Sequence, residues 1–462
     1  MKFKNILILF SSLTLSCVSC DDMGFLQIKP DNLILTDDAI KTKDDIEKLL
    51  LGTYNGMRSG GFWGGTALRG FGVIADDAIA NVATFEWVQL TNHEMNLVNA
   101  VGRDLWTNTY NAINRANQVA YNSLSEDILA AEGGNVLNEF KAEAAFIRGF
   151  GHFHLVRAFG LPYSDEHKNT PEMGVPIRVS GVLDRETAFE IIQRSTVEEV
   201  YNQVIADLEF AAANLPTSHT WDSGRATVDI AKALLAKVYF NKQDYTRAAQ
   251  YAKEVIATNQ YELDADMIAK YAHAQHGTST KEVIFMIPSA SINEDSWGGL
   301  RAFRTNDLTL PNYHPSPSLI NAFDREDDHR FSTFYKEVNG SWYTTRFDYE
   351  YMDGIVMGYN ELLLIYAEAA AESGVDLADA LAALNQIEVR AYGGPKTTSP
   401  DRNLIIEAAR KERRLELSLL GERLFELKRL RQHVRGESWD SRGLLFQIPD
   451  VEQSGNPNVN MN

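Results

Sequence analysis

Apolar residues recur at three- and four-residue spacing along most of the chain beyond residue 42. In TKDDIEKLLLGTYNGM they fall at Ile46, Leu49, Leu50 and Tyr54, behind a capping Thr42 and early acids that suit the positive end of a helix. DLWTNTYNAINRANQVAYNSL sets Leu105, Trp106, Tyr110, Ile113, Ala116 and Ala120 on one broad face. VLNEFKAEAAFIRGFGHFHLVRAFG repeats the arrangement through Leu137, Phe140, Ala144, Ile147 and His154, and Gly160 supplies a stop. Strand-like runs such as EVIFMIP are short and isolated. The patterning predicts a mainly all-α body.

One stretch is more specific. In ALLAKVYFNKQDYTRAAQYAKEVIA, residues 233–257, Leu235, Ala236, Tyr239 and Ala248 occupy the hydrophobic and small positions of a tetratricopeptide repeat. Small residues let two antiparallel helices approach closely, and Tyr239 fills the groove between them. LLLIYAEAAAESGVDLADALAALNQI, residues 362–387, reads as a second, looser pair with a shifted loop. Tetratricopeptide-like helix pairs supporting long irregular loops are therefore expected.

Two segments break the helical pattern. Residues 58–103 are rich in glycine and interleaved with Phe62, Trp63, Phe71, Phe85 and Trp87, and residues 289–353 carry Trp297, Phe303, Tyr313, Trp342, Tyr343, Tyr349 and Tyr351. Such aromatic density disfavours disorder, and long ordered loops are commonly functional. Within the first lies GGFWGG, residues 60–65, where Phe62 and Trp63 sit between glycine pairs. Glycines permit either an exposed tip or a loop folded inward. The expectation here is an exposed tip offering an aromatic platform, and Trp106, on the helical stripe, is assigned to the core.

Charge and the N-terminus narrow the setting. With 462 residues and 44% apolar content the chain can build one large domain or two intimate ones. A formal net charge of −19 argues against nucleic acid and anionic lipid surfaces as general partners. Lys2 and Lys4 precede an uncharged apolar stretch from Ile6 to Leu15, as in a secretory signal too short to span a membrane. Both cysteines, Cys17 and Cys20, lie at its end, so the folded body has no disulfide framework. Small Ser19 before Cys20 resembles the lipobox of bacterial lipoproteins, in which the cysteine is acylated. The expected organisation is a signal peptide over 1–19, a lipidated tether over 20–41 and a body with tetratricopeptide-like helix pairs over 42–462.

Catalytic signals are weak. His152 and His154 stand two apart on a helix, point to nearly opposite faces and cannot chelate together. In RKERRLELSLLGERLFELKRLRQHVR, residues 410–435, glutamates interleave with the basic residues, which favours a salt-bridged helix face over a nucleic-acid helix. DREDDHR, residues 324–330, offers oxygens to a hard cation but reads by default as a solvated charged turn. Nucleophile-elbow, phosphate-loop, dinucleotide and zinc-protease motifs are absent from the sequence. Asp76–Asp77 and Asp327–Asp328 are acid pairs of the kind a glycosidase uses, but no spacing singles either out. No enzyme activity, cofactor or metal is expected.

Several motifs, in order, resemble one family. SCDDMGFLQIKP, WTNTYNAINRANQV and AEAAFIRGFGHFHLVRAFGLPY are followed by STVEEVYNQVIADLEFAAANLP, GRATVDIAKALLAKVYFNKQDYTRAAQYA and LLLIYAEA. AARKERRLELSLLGERLFELKRL and LFQIPDVEQSGNPNVNMN complete the series. Over essentially the whole mature chain this is similar to the SusD/RagB family of Bacteroidetes outer-membrane lipoproteins. Two positions depart from the family pattern, Gly358 in place of an arginine and Leu420–Gly421 in place of Glu-Gly. The resemblance implies a cell-surface lipoprotein that captures nutrient and lids a SusC-like TonB-dependent outer-membrane transporter, and Asp21–Asp22 resembles the surface-export signal of such lipoproteins.

Oligosaccharide is the ligand this reading favours, with peptide capture as the alternative and a surface glycoside hydrolase a remoter one. Flat C–H faces of sugars pack on Trp and Tyr, while Asn, Asp and Arg pair with hydroxyls. The expected ligand-contacting residues are Phe62, Trp63, Arg69, Asp76, Asp77, Trp87, Trp297, Phe303 and Trp342.

Overall fold

The computed structural model describes residues 40–456 except 124, 133, 183–186, 188–189, 220–222 and 305–310. The signal-like stretch, Cys17, Cys20, Asp21–Asp22 and the tether up to residue 39 lie outside the described residues, as do residues 457–462.

Helix α1 (Lys43–Met57) begins where its sequence predicts. The Thr42 hydroxyl accepts the Asp45 N–H, and the Asp45 carboxylate takes the Thr42 N–H in return. Segment 58–103 then holds more regular structure than its glycines suggest: α2 (Thr66–Ile74), β1 (Ala78–Ala80) and α3 (Phe85–Asn92). Asn99 caps α4 (Ala100–Asn122) through the Val101 and Gly102 N–H groups, and α5 (Glu126–Glu132) leads into α6 (Gly134–Phe159). Next come α7 (Val197–Asn214), α8 (Val228–Asn241) and α9 (Tyr245–Ile256).

Short elements follow: α10 (Ala269–His276), β2 (Val283–Ile287), β3 (Tyr313–Pro315), α11 (Pro317–Ile320) and α12 (His329–Phe334). Then come the hairpin β4 (Tyr335–Val338) with β5 (Ser341–Thr344), and β6 (Gly354–Gly358), which pairs antiparallel with β2. The chain closes through α13 (Tyr359–Ser373), α14 (Leu377–Tyr392), α15 (Arg402–Glu416), α16 (Arg423–Arg429) and α17 (Asp450–Gly455).

The long helices form a continuous array in which α1 packs on α4, α4 on α6, α6 on α7, α7 on α8, α8 on α9, α9 on α13, and α13 on both α14 and α15. The α8–α9 hairpin is the pair its repeat pattern predicts. Leu235, Ala236, Tyr239 and Ala248 are all fully buried, and Tyr239 stacks on Tyr251 with ring centroids 5.7 Å apart. Pair α13–α14 turns at Gly374, in the left-handed region at φ 71°.

The GGFWGG segment folds inward, which overturns the exposed tip. Phe62 is fully buried and Trp63 nearly so. Both rings pack on Phe150 (5.4 and 5.1 Å) and on His154 (5.7 and 5.4 Å), and the Trp63 indole N–H donates to the Ile355 carbonyl at 3.1 Å. The glycines are there for backbone contact. A Cβ on Gly61 would collide with the Asp104 carbonyl, one on Gly64 with the Arg58 carbonyl, and Gly65 lies at φ 94° against Leu300. Burial, with Arg157 nearby, holds the His154 ring neutral, its pKa pushed down to about 3. His152 is likewise buried and accepts the Arg178 N–H, so the two histidines are separate core groups.

The charge-rich run 410–435 is salt-bridged as expected, with Arg431 pairing with Glu166 at the surface, but its central bridges are internal. Glu422 takes Arg157 and Lys237 at 3.0 and 2.9 Å, and Glu361 joins Lys237 and Arg413. Glu426 and Glu368 bracket Arg429 at 2.5 and 2.8 Å. A neighbouring cluster centres on fully buried Arg330, which reaches Asp328, Glu412 and Glu416, and Arg390 links Glu416 to Glu282. Asp328, the oxygen donor offered by DREDDHR, is thus engaged by Arg330, and Asp327 pairs with Lys396.

Candidate ligand-binding site

Helix α2 presents Arg69 at the centre of an aromatic clamp. Its guanidinium carbon lies 4.4 Å from the Trp87 ring centroid on α3 and 4.2 Å from that of Tyr313 on β3. The two rings meet edge to face at 4.8 Å, and one guanidinium N–H donates to the Gly299 carbonyl at 2.7 Å. Burial pulls the Arg69 pKa down to about 10, against an opposing pull from Tyr313, so the cation remains charged at neutral pH. Phe303 extends the clamp, 6.1 Å from Tyr313.

This clamp fixes a surface. Strand β1 pairs antiparallel with β3, matching Ile79 to His314 and Ala80 to Tyr313. Asn81 Nδ2 then stands 2.9 Å from His314 Nε2, while His314 Nδ1 lies 3.2 Å from the Pro315 carbonyl. An amide NH2 only donates and a carbonyl only accepts, so together these contacts select the Nδ1–H tautomer of His314. On α3, Phe85 is 55% exposed and Val88, one turn on, is 42% exposed. A planar amide and an imidazole thus meet on the strand pair whose Tyr313 helps clamp Arg69, and Phe85 is a separate exposed aromatic on α3, on the face away from Trp87.

The remaining expected contacts lie elsewhere. Asp76 is held by Arg423 at 2.7 Å and by Arg414 at 3.2 Å, and it also accepts from Ser318. Asp77 is 1% exposed beside Arg414, with burial raising its pKa to about 6. These carboxylates tie α2's exit to α15 and α16 and are not a free acid pair, which corrects their ligand assignment. Trp297 is also a core residue, at the wall of a cavity of about 30 Å³ shared with Trp63, Tyr271 and Lys270. Phe303, though at the clamp, is 1% exposed and has no free face. Of the four assigned tryptophans, only Trp342 is half-buried. It packs on Phe331 at 4.6 Å with Arg325 above its ring, and strand alternation turns it away from Tyr343, the neighbour of His314. Trp106 is in the core, as the helical stripe indicates.

Sequence reasoning missed Asn81 and His314 as a pair, because their meeting depends on the pairing of β1 with β3, which are more than two hundred residues apart. The only sequence signal was the aromatic density itself. Among the described residues no cluster of three or more His, Cys, Asp or Glu side chains is arranged to hold a metal ion. None of the described helices is long and apolar enough to cross a membrane.

Comparison with known proteins places these features in context. A family model described as starch-binding, associating with outer membrane, matches residues 24–240, and the SusD family model matches residues 323–458. The SusD-like protein P2 of Formosa agariphila is 27% identical, with 93% of this chain and 91% of that protein covered. A SusD superfamily structure from Bacteroides thetaiotaomicron is similar at TM-score 0.78 and 24% identity, covering 91% of this chain and 100% of that one. A putative sugar binding protein from Bacteroides vulgatus is similar at TM-score 0.77 and 23% identity, covering 92% and 99%.

Proposed function

The chain belongs to the SusD family, and from that premise we propose that it is a cell-surface lipoprotein that captures oligosaccharide and passes it to a SusC-like TonB-dependent transporter in the outer membrane. In this reading residues 1–19 are removed, Cys20 is acylated, residues 20–41 form the tether and residues 42–462 form the binding body. The observation that supports capture is the strand pair beside the Arg69 clamp, where Asn81 meets His314, together with Phe85, exposed on α3 four residues after Asn81. A sugar ring stacks its C–H face on Phe85, and its hydroxyls pair with the amide and the imidazole. Such bonds largely replace bonds to water, so each contributes little net affinity and release to a transporter is easy. Trp342, half-buried with Arg325 beside it, is a separate aromatic contact. The role is binding without turnover, since Asp76 and Asp77 are committed to arginines.

A glycan array and a peptide pool presented to the purified mature protein test this. Oligosaccharide binding that weakens at least about tenfold in Phe85→Ala, as loss of one ~1 kcal/mol stacking contact plus its apolar area would produce, is the expected result. Capture of peptides alone, or glycan binding indifferent to Phe85, Asn81 and His314, would overturn the assignment.

A further inference from the structure

The RAFGLPY segment ends α6 and turns against α16, and the two enclose a cavity of about 30 Å³. Its polar wall is unusual. Arg157, Lys428 and Arg429 line it together with Tyr163, Tyr201 and Asn241, and among the described residues no carboxylate does. All three cations are buried, at 6%, 4% and 6% exposure.

The charges around this cavity do not balance. Arg157 is held by Glu422, and Arg429 by Glu368 and Glu426. Lys237, Arg410 and Arg413 share the rest of the same carboxylate network with Glu361 and Glu372. Lys428 is the cation left over. Its ammonium donates to the Leu444 carbonyl at 2.9 Å, and among the described residues no carboxylate lies within ion-pair distance of it. An ammonium has three N–H donors, and one carbonyl uses one of them. In addition, the Arg157 Nε is buried without a hydrogen-bond partner.

We infer that this cavity is a binding site for a halide-sized monovalent anion, held by Lys428 and the Arg157 guanidinium and pinning the RAFGLPY turn to α16. The volume suits one chloride or one water, and the surplus positive charge favours the anion. A buried charge without a counter-charge is strongly disfavoured, and an ion in the cavity removes that penalty. The protein groups alone leave the lysine poorly supported: burial, then Arg157, pull its pKa down to about 7. Nothing in the family reading requires this site, which lies among α6, α7, α8 and α16 and apart from the Phe85 surface.

The test is thermal melting of the full mature chain in sodium gluconate, chloride and bromide at constant ionic strength, with bromide-soaked crystals examined for anomalous scattering. Gluconate is too large for the cavity. Chloride and bromide should raise the melting temperature saturably, by roughly 2 °C or more at concentrations well above the dissociation constant. Lys428→Met should abolish that halide increment. Should that variant fail to fold, the wild-type crystals decide alone, since an anomalous bromide peak between Lys428 and Arg157 is required. Equal melting in all three salts, or a cavity without a bromide peak, would overturn the inference.

Discussion

Glu416 is buried among Arg330, Arg390 and Asn360, and that setting dictates its response to acid. Burial works to raise its pKa, but Arg390 and Arg330 outweigh burial and hold it at about 2, below the ordinary 4.5. A depressed carboxylate contributes stability that is complete above its ordinary pKa and disappears as pH falls through the folded value. The melting temperature should therefore decline steadily from pH 4.5 to 2, the interval over which Glu416 must take up its proton. Glu416→Gln should flatten this decline and lower stability near neutrality, because two buried arginines lose a charged partner. An acid limb of unchanged slope in the variant would contradict the assignment. Trp63 carries the second residue-scale prediction. It packs on Phe150 and His154 and bonds the Ile355 carbonyl, so Trp63→Ala should cost roughly 3–5 kcal/mol. Phe85→Ala, at an exposed position, should change stability by about 0.5 kcal/mol or less. Chemical denaturation of the two variants side by side measures both, and a stable Trp63→Ala protein would restore the exposed-tip reading.

At the scale of elements, Gly64→Ala should destabilise nearly as much as Trp63→Ala, because the added carbon meets the backbone of Arg58 and Ser59, which cannot move aside like a flexible side chain. A melting temperature matching wild type would show that the segment is looser than its contacts imply. The direction of GGFWGG was undetermined from sequence because glycine allows both outcomes, and what chose between them was the apolar pocket of Phe150 and His154 on α6, some ninety residues away. Helices whose cues are local were legible. Thr42 with Asp45 starts α1, and Ala236, Tyr239 and Ala248 mark the α8–α9 pair. The charge pattern of 410–435 was legible as salt-bridged but not as buried, since a partner such as Arg157, Lys237 or Glu361 comes from another element. Likewise the proposed ligand surface joins β1 to β3, so its aromatics were visible as composition while the clamp and the Asn81–His314 contact were not.

For the whole molecule, the proposed role depends on two attachments. The lid reading requires a broad, durable contact with a transporter, while the anchor requires only Cys20. Several acyl chains on one residue hold a protein at a membrane, each buried methylene adding ~0.8 kcal/mol. Cys20→Ala should therefore release the protein from the membrane fraction and abolish metabolic acyl labelling, while the isolated chain melts as wild type, since among the described residues the helix array begins at Lys43. Persistent acyl labelling would refute Cys20 as the anchor. Transporter contact is separable from this. A stable interface buries on the order of 1,200–2,000 Å² or more, an area that scattered exposed apolar residues such as Leu51, Val98 and Tyr121 cannot supply singly. Polar surface must contribute, and with a net charge of −19 the transporter's facing loops should be basic in compensation. Co-purification from mild detergent should then give a stoichiometric complex whose formation slows as salt is raised, because opposite charges steer association over distances that salt screens. The lipoprotein recovered alone, with its neighbouring transporter expressed, would sink the lid model while leaving glycan capture and the acyl anchor standing.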